Sequence, residues 1–334
     1  MHELLAGALS TPWLGTPLWM WLTFIGIVFV LLALDLGVVH KEQREIGVKE
    51  SLVLSAVYIT LGLAFGGWVW WQMGAEAGTA YITGFVVEKS LAMDNVFVIA
   101  MIFSYFAIPR LYQHRVLFWG ILGVIVLRGI MIGAGAALVT EFTWVLYVFA
   151  AFLIFTGIKM WLSAEEAYSV EQSAVLRFFR RHFRVTEQLH GNHFWVRQTD
   201  PETGKAVWCM TPLLMALVMV EFADVIFAVD SVPAIFAITA DPFIVYTSNI
   251  FAVLGLRALY FALAAMVHRF HYLKYALSVL LVFIGSKIFV ADLLGLPGGK
   301  FPPSWSLAIT FAILGAGVGY SLWKTRGEHR EITR

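Results

Sequence analysis

Val220 to Pro233 reads V-E-F-A-D-V-I-F-A-V-D-S-V-P, inside an apolar run from about Pro212 to Thr239. The run is long enough to cross a bilayer, yet it holds Glu221, Asp224 and Asp230. An acid at the middle of a membrane helix costs roughly 2.5 to 3.5 kcal/mol on the insertion scale, so a retained one marks a candidate functional site. Earlier in the chain, Val87 to Val98 reads V-E-K-S-L-A-M-D-N-V-F-V. Setting Asp94-Asn95 against Asp230-Ser231 places Glu88 opposite Asp224, and both phrases then read acid, five residues, acid, small polar residue.

The register continues downstream. Leu127-Arg128 falls near Leu256-Arg257, and F-T-G-I-K ending at Lys159 matches F-I-G-S-K ending at Lys287. The order acid, acid, Arg, Lys therefore occurs twice, each time spread over three hydrophobic segments, which is an internal repeat. An odd number of spans per copy gives the two copies opposite orientation, a frequent plan of secondary transporters.

The rest of the chain agrees with this class. It is 60% hydrophobic, 15% aromatic and 13% charged, with a mean hydropathy of +0.79, far from a soluble domain. The net charge of +1 points to no nucleic-acid partner. Cys209 is the single cysteine, so neither an intramolecular disulfide nor a Cys-x-x-Cys pair is available. Windows of about 20 apolar residues predict nine spans, near 18–39, 51–71, 79–106, 115–139, 142–162, 210–239, 242–267, 273–294 and 304–323. The N-terminus lacks the basic start of a signal peptide, so the first window is expected to be a retained span. The expected fold is an all-α polytopic transmembrane bundle. Its parts are two N-terminal spans (1–78), repeat 1 (79–162), a loop (163–209), the inverted repeat 2 (210–294), and a last span with a tail (295–334).

Seventeen of the 23 Lys and Arg residues fall in the loops after spans 1, 3, 5 and 7 and in the C-terminal tail, against Lys300 alone on the other side. That bias predicts an external N-terminus and a cytoplasmic C-terminus in a bacterial-type inner membrane. In the loop, Arg177, Arg180, Arg181 and Arg184 share one helical face, and Val175, Leu176, Phe179 and Phe183 the other. Such a helix suits either an anionic leaflet or the protein's own cytoplasmic ends. His193 to Trp208 reads as a short hairpin.

The predicted spans hold the acids Asp35, Glu88, Asp94, Glu221, Asp224 and Asp230 against Lys89, Arg128, Lys159, Arg257 and Lys287. Ion pairs that hold the bundle together are one reading. For Arg128, Arg257, Lys159 and Lys287 it is the favoured one, because buried acids need positive partners. Asp35 lies near a cytoplasmic end and is set aside. The functional reading of the acids is a cation site. Carboxylates and side-chain carbonyls are hard oxygen ligands suited to Mn2+, Mg2+ or Ca2+. All nine histidines fall in loops or termini, which leaves no imidazole cluster in the spans. Glu221 and Asp224 share a helix face, whereas Asp224 and Asp230 point about 120° apart on an ideal helix. A site using all three needs a distortion, which Pro233 offers. Asn95 and Ser231 each offer a neutral oxygen or a bond to backbone, and Met93 is either a soft ligand or core.

These phrases, with L-R-G-I-M and T-S-N-I-F-A-V-L-G-L-R-A-L-Y-F, resemble the TerC family of integral membrane proteins, closest to its Alx-like branch, from about Leu18 to the last span. The resemblance implies paired three-helix repeats like those of LysE-type exporters. It implies Mn2+ export for the Alx-like branch, with tellurium resistance or calcium and manganese handling elsewhere; an older label links Alx to redox modulation. The family's intramembrane acids fall on Glu88, Asp94, Glu221, Asp224 and Asp230. The expected function is divalent-cation export, Mn2+ first and Ca2+ second, by alternating access. Metal-for-proton exchange is a natural cycle, since buried carboxylates without a cation take up protons. The chain is expected to be no enzyme and to hold no tight cofactor. Its expected partners are the lipid bilayer, the metal ion and a second copy or accessory membrane protein. A membrane scaffold for stress-response or secretion partners is the alternative. A redox modulator is the third reading, and it lacks a visible redox group.

Overall fold

A computed structural model describes residues 9–39, 47–162, 170, 173–199, 205–263, 273–296 and 301–332, without the side chains of 35–39, 94 and 325–332. Eleven helices carry the described chain. They are α1 (Leu18–Val39), α2 (Val48–Met73), α3 (Ala75–Tyr105), α4 (Arg110–Glu141), α5 (Val145–Leu162), α6 (Ala174–His182), α7 (Pro212–Phe236), α8 (Pro242–Leu254), α9 (Leu256–Leu263), α10 (Leu273–Leu293) and α11 (Pro303–Ile332). A two-residue ladder pairs β1 (Pro12–Trp13) with β2 (Thr16–Pro17), and a hairpin pairs β3 (Trp195–Thr199) with β4 (Ala206–Met210), both antiparallel. An apolar run removed from water must satisfy its backbone internally, and the helix does so within one segment.

Six helices are long and apolar enough to cross a membrane: α2, α4, α5, α7, α10 and Pro303–Lys324 of α11. The bent pair α8 and α9 makes a seventh. The chain is thus an all-α polytopic membrane bundle. The other two predicted windows are also helical. In α1 the apolar stretch is Leu18–Leu34, and α3 carries Glu88, Lys89 and Asp94 within its 31 residues. The predicted 242–267 segment is not one straight helix. It bends by 40° between Leu254 and Leu256, where a Cβ on Gly255 would lie 2.8 Å from Lys89 Nζ and 2.9 Å from Tyr58 Cβ.

Helix starts follow their sequence signals. Thr211 caps α7 ahead of Pro212, and the Asp241 carboxylate accepts from the backbone N–H groups of Phe243 (2.9 Å) and Ile244 (3.3 Å) ahead of Pro242. Pro233 falls in the last turn of α7, which runs unbroken through Asp224 and Asp230 to Phe236. Pro233 therefore does not break the helix, although its ring takes away the N–H that would bond the Val229 carbonyl in the turn that holds Asp230.

Between the helices α3–α5 and the helices α7–α10, the most extensive packed pairs are α5 with α10, α4 with α7, α3 with α8 and α3 with α7. Exchanging α3, α4 and α5 for α7, the α8–α9 pair and α10 leaves this set unchanged. The tightest pair is reciprocal in detail. A Cβ on Gly157 would lie 2.8 Å from the Ser278 carbonyl oxygen, and one on Gly285 would lie 2.6 Å from that of Ala150. The register that sets Gly157 on Gly285 also sets Ala150 on Ser278.

α6 and the hairpin form where predicted. Leu176 is buried, and Val175 and Phe179 pack with it on the ends of α3, α4 and α7, whereas Phe183 is exposed just past the helix end. Of the expected loop, residues 163–169, 171–172 and 200–204 lie outside the described set.

Candidate functional site

Arg128 stands in the middle of α4 with 1% of its surface exposed. Its guanidinium forks onto Asp224 of α7, with Nη2 3.1 Å from Oδ1 and Nε 3.3 Å from Oδ2. Nη1 donates to Glu88 of α3, to Asn249 Oδ1 of α8 at 2.9 Å and to Ser231 Oγ at 3.3 Å. Asn249 Nδ2 in turn donates to Glu88 Oε2 at 3.1 Å, and Asn95 Nδ2 approaches Asp224 Oδ1 at 3.4 Å. Four helices, two from each predicted repeat, therefore meet at one guanidinium. All six side chains are buried.

The planar fork matches carboxylate geometry and so fixes orientation as well as charge. Two carboxylates on one guanidinium leave the cluster one negative charge in excess. In a low-dielectric interior that excess is costly unless a cation or proton offsets it.

Glu221 and Asp230 sit around this cluster rather than in it. Glu221, one turn before Asp224, is half-buried and faces α4, where a Cβ on Gly123 would collide with its carboxylate. Glu221 Oε2 is buried and has no hydrogen-bond partner among the described residues. Asp230 is half-buried and faces Thr156 and Lys159 of α5. The acids of α7 thus address different neighbours, as a continuous helix requires. Asp94 lies on α3, with its side chain outside the described set. Among the described residues no three Asp, Glu, His or Cys side chains gather closely enough to hold a metal ion.

The remaining cations divide. Lys89 Nζ donates to the Ala252 carbonyl at 3.0 Å, beside the bend between α8 and α9. Lys287 is buried, with Nζ 3.3 Å from Ser306 Oγ of α11. Arg257 is buried on α9, and Lys159 is exposed on α5. Met93 packs partly buried in the core. Sequence reasoning missed Asn249. Its signal was the run Thr247-Ser248-Asn249 inside an apolar segment, three polar side chains that all prove fully buried.

The apolar helices and the buried charge cluster define an integral membrane protein. The sequence profile of the integral membrane protein TerC family matches residues 73–329, and the chain belongs to that family. It is 48% identical over 315 residues to an uncharacterized membrane protein of Myxococcus xanthus, covering 94% of this chain and 95% of the relative. It is 45% identical over 327 residues to a Salmonella typhi protein named "Putative membrane-bound redox modulator Alx", covering 95% and 98%. The Escherichia coli K12 protein of the same name is 44% identical over 328 residues, covering 94% and 98%. No solved structure matches the chain.

Proposed function

We propose that this protein exports a divalent cation, Mn2+ first, from the cytoplasm across the inner membrane by alternating access of two inverted three-helix repeats. The N-terminus is then external and the C-terminus cytoplasmic, with α1 and α3 completing nine spans. The observation that carries the reading is the Arg128 cluster. Its guanidinium joins Glu88 from one repeat and Asp224 from the other, deep in the bundle and one charge short of neutrality. The four largest contacts between the two helix triplets map onto one another on exchange, which supports the inverted repeat, and inverted repeats meeting at buried charges suit alternating access.

In this reading Arg128 is a tethered cation. It holds Glu88 and Asp224 together between transport events, and the metal competes with it for their oxygens. Glu221, with an unpartnered buried oxygen one turn away, is the acid best placed to receive the metal first. Asp94 and Asp230 are the second pair of proposed ligands, and protons replace the metal on the return step. The carboxylate, amide and hydroxyl oxygens favour hard cations over Zn2+ or Cu+.

The test is flux from proteoliposomes loaded with Mn2+, Ca2+, Mg2+ or Zn2+. Efflux of Mn2+ above protein-free vesicles is expected, and its absence for every ion contradicts the reading.

A further inference from the structure

The end of the bundle opposite the hairpin opens into a cavity of about 610 Å3. Ala77 and Ala80 of α3 line it, with Phe236, Ile238 and Thr239 at the end of α7, and Ile244 of α8. Glu88 lies about 12 Å of helix rise beyond Ala80, and Ser231 about 8 Å from Phe236. The Arg128 cluster therefore lies below the floor of the cavity along the two acidic helices, with Gly84 packed closely against Ile235 and Ser248 in between.

The repeat register carries these six lining residues to Leu213, Ala216, Ala100, Ile102, Phe103 and Arg115 at the hairpin end. That surface is covered. Leu213, Ala216, Ile102 and Phe103 are buried in one cluster with Val170 and with Leu176 of α6, which is 2% exposed. Phe194 belongs to the same cluster, and the Arg115 guanidinium lies 4.9 Å over its ring. A smaller cavity of about 280 Å3 remains beside it, between Phe103, Gln113 and Tyr260.

The cover is tied to an acidic helix. The Thr211 hydroxyl, at the start of α7, donates to the His193 carbonyl at 2.8 Å, and the Thr211 N–H donates to the Phe194 carbonyl at 3.1 Å. The Met210 N–H donates to the Arg184 carbonyl at 2.8 Å. The outer face of α6, with Arg177, Arg180 and Arg181, is exposed. The cover therefore packs on the mouth by its apolar side and is hydrogen-bonded to the start of α7, with its basic face left outward.

We propose that the open cavity and the surface under Leu176 are the two mouths of one path through the Arg128 cluster, with α6 and the hairpin as the lid over the cytoplasmic mouth. The exporter reading supplies only what passes and in which direction; the lid rests on the packing.

The test uses the full-length Cys209→Ser chain in lipid nanodiscs and a membrane-impermeant thiol reagent. Ala77→Cys and Leu213→Cys are repeat-equivalent reporters, one for each mouth. Ala77→Cys is expected to react at least about tenfold faster than Leu213→Cys. Adding Leu176→Ala, or separately Phe194→Ala, is expected to speed Leu213→Cys labelling by about tenfold or more, because lost core contacts favour local opening. Equal labelling of the two reporters in the intact lid overturns the proposal. So does unchanged Leu213→Cys labelling in both lid variants when each remains monodisperse. Expected labelling without metal flux from proteoliposomes overturns the exporter reading and leaves the lid standing.

Discussion

Glu88 and Asp224, which occupy matching places in the two acidic phrases, both close on the guanidinium of Arg128. One side chain from the second helix of the first triplet thereby ties the first helices of both triplets together. Removing it strands two buried carboxylates. Arg128→Met is expected to cost roughly 3 to 5 kcal/mol, the usual penalty for breaking a buried ion pair. The measurement is the thermal midpoint of purified protein in one fixed detergent. The triple change Glu88→Gln, Arg128→Met, Asp224→Asn removes the charges together and is expected to recover most of that loss while remaining inactive in transport. A triple variant no more stable than Arg128→Met would mean that the cluster is not held by its charges.

Asn249 bridges the same two partners, accepting from Arg128 and donating to Glu88. Asn249→Leu keeps a similar volume and leaves both partners short of a bond. About 1 to 3 kcal/mol of stability should be lost, the range for a buried polar group without its partner. A denaturation midpoint equal to that of the parent chain would remove Asn249 from the cluster's support.

Much of this arrangement was legible in the sequence, and what was not has a physical reason. The repeated acids, Arg128 and the expected helix windows follow from hydropathy and register, which act along one segment at a time. The fork of Arg128 onto Asp224 and Asn249 depends on how helices far apart in sequence pack, and no periodicity reports that. Pro233 was a fair signal for a break, yet its place in the last turn of α7 left the helix intact. The actual bend, at Gly255, was hidden because the segment around it is apolar enough overall to read as one span.

Gly157 and Gly285 each admit the backbone of the other's helix. In an ordinary helix interior Gly→Ala stabilises by roughly 0.5 to 1 kcal/mol. Here the sign should reverse for both, because the added Cβ meets a carbonyl oxygen, and the cost should fall near 1 to 3 kcal/mol as in other overpacked sites. Thermal midpoints of Gly157→Ala and Gly285→Ala should drop by similar amounts. A rise in either would contradict the close approach of α5 and α10.

Glu221 offers a separation of transport from folding. Its Oε2 is buried and accepts no hydrogen bond among the described residues, so Glu221→Gln removes a charge without taking a hydrogen bond from that oxygen. Stability should hold within about 1 kcal/mol or improve, since an uncompensated buried carboxylate is costly, while Mn2+ efflux falls. A folded Glu221→Gln protein with parental efflux would exclude Glu221 from the path.

The central claim is that Glu88 and Asp224 serve the transported cation and not only Arg128. Initial Mn2+ efflux from proteoliposomes, compared between the parent chain and Asp224→Asn at equal amounts of folded protein, tests it most directly. The account predicts efflux from the parent chain and its loss in Asp224→Asn, which keeps the shape of the side chain and removes its charge. Parental efflux from folded Asp224→Asn would contradict it.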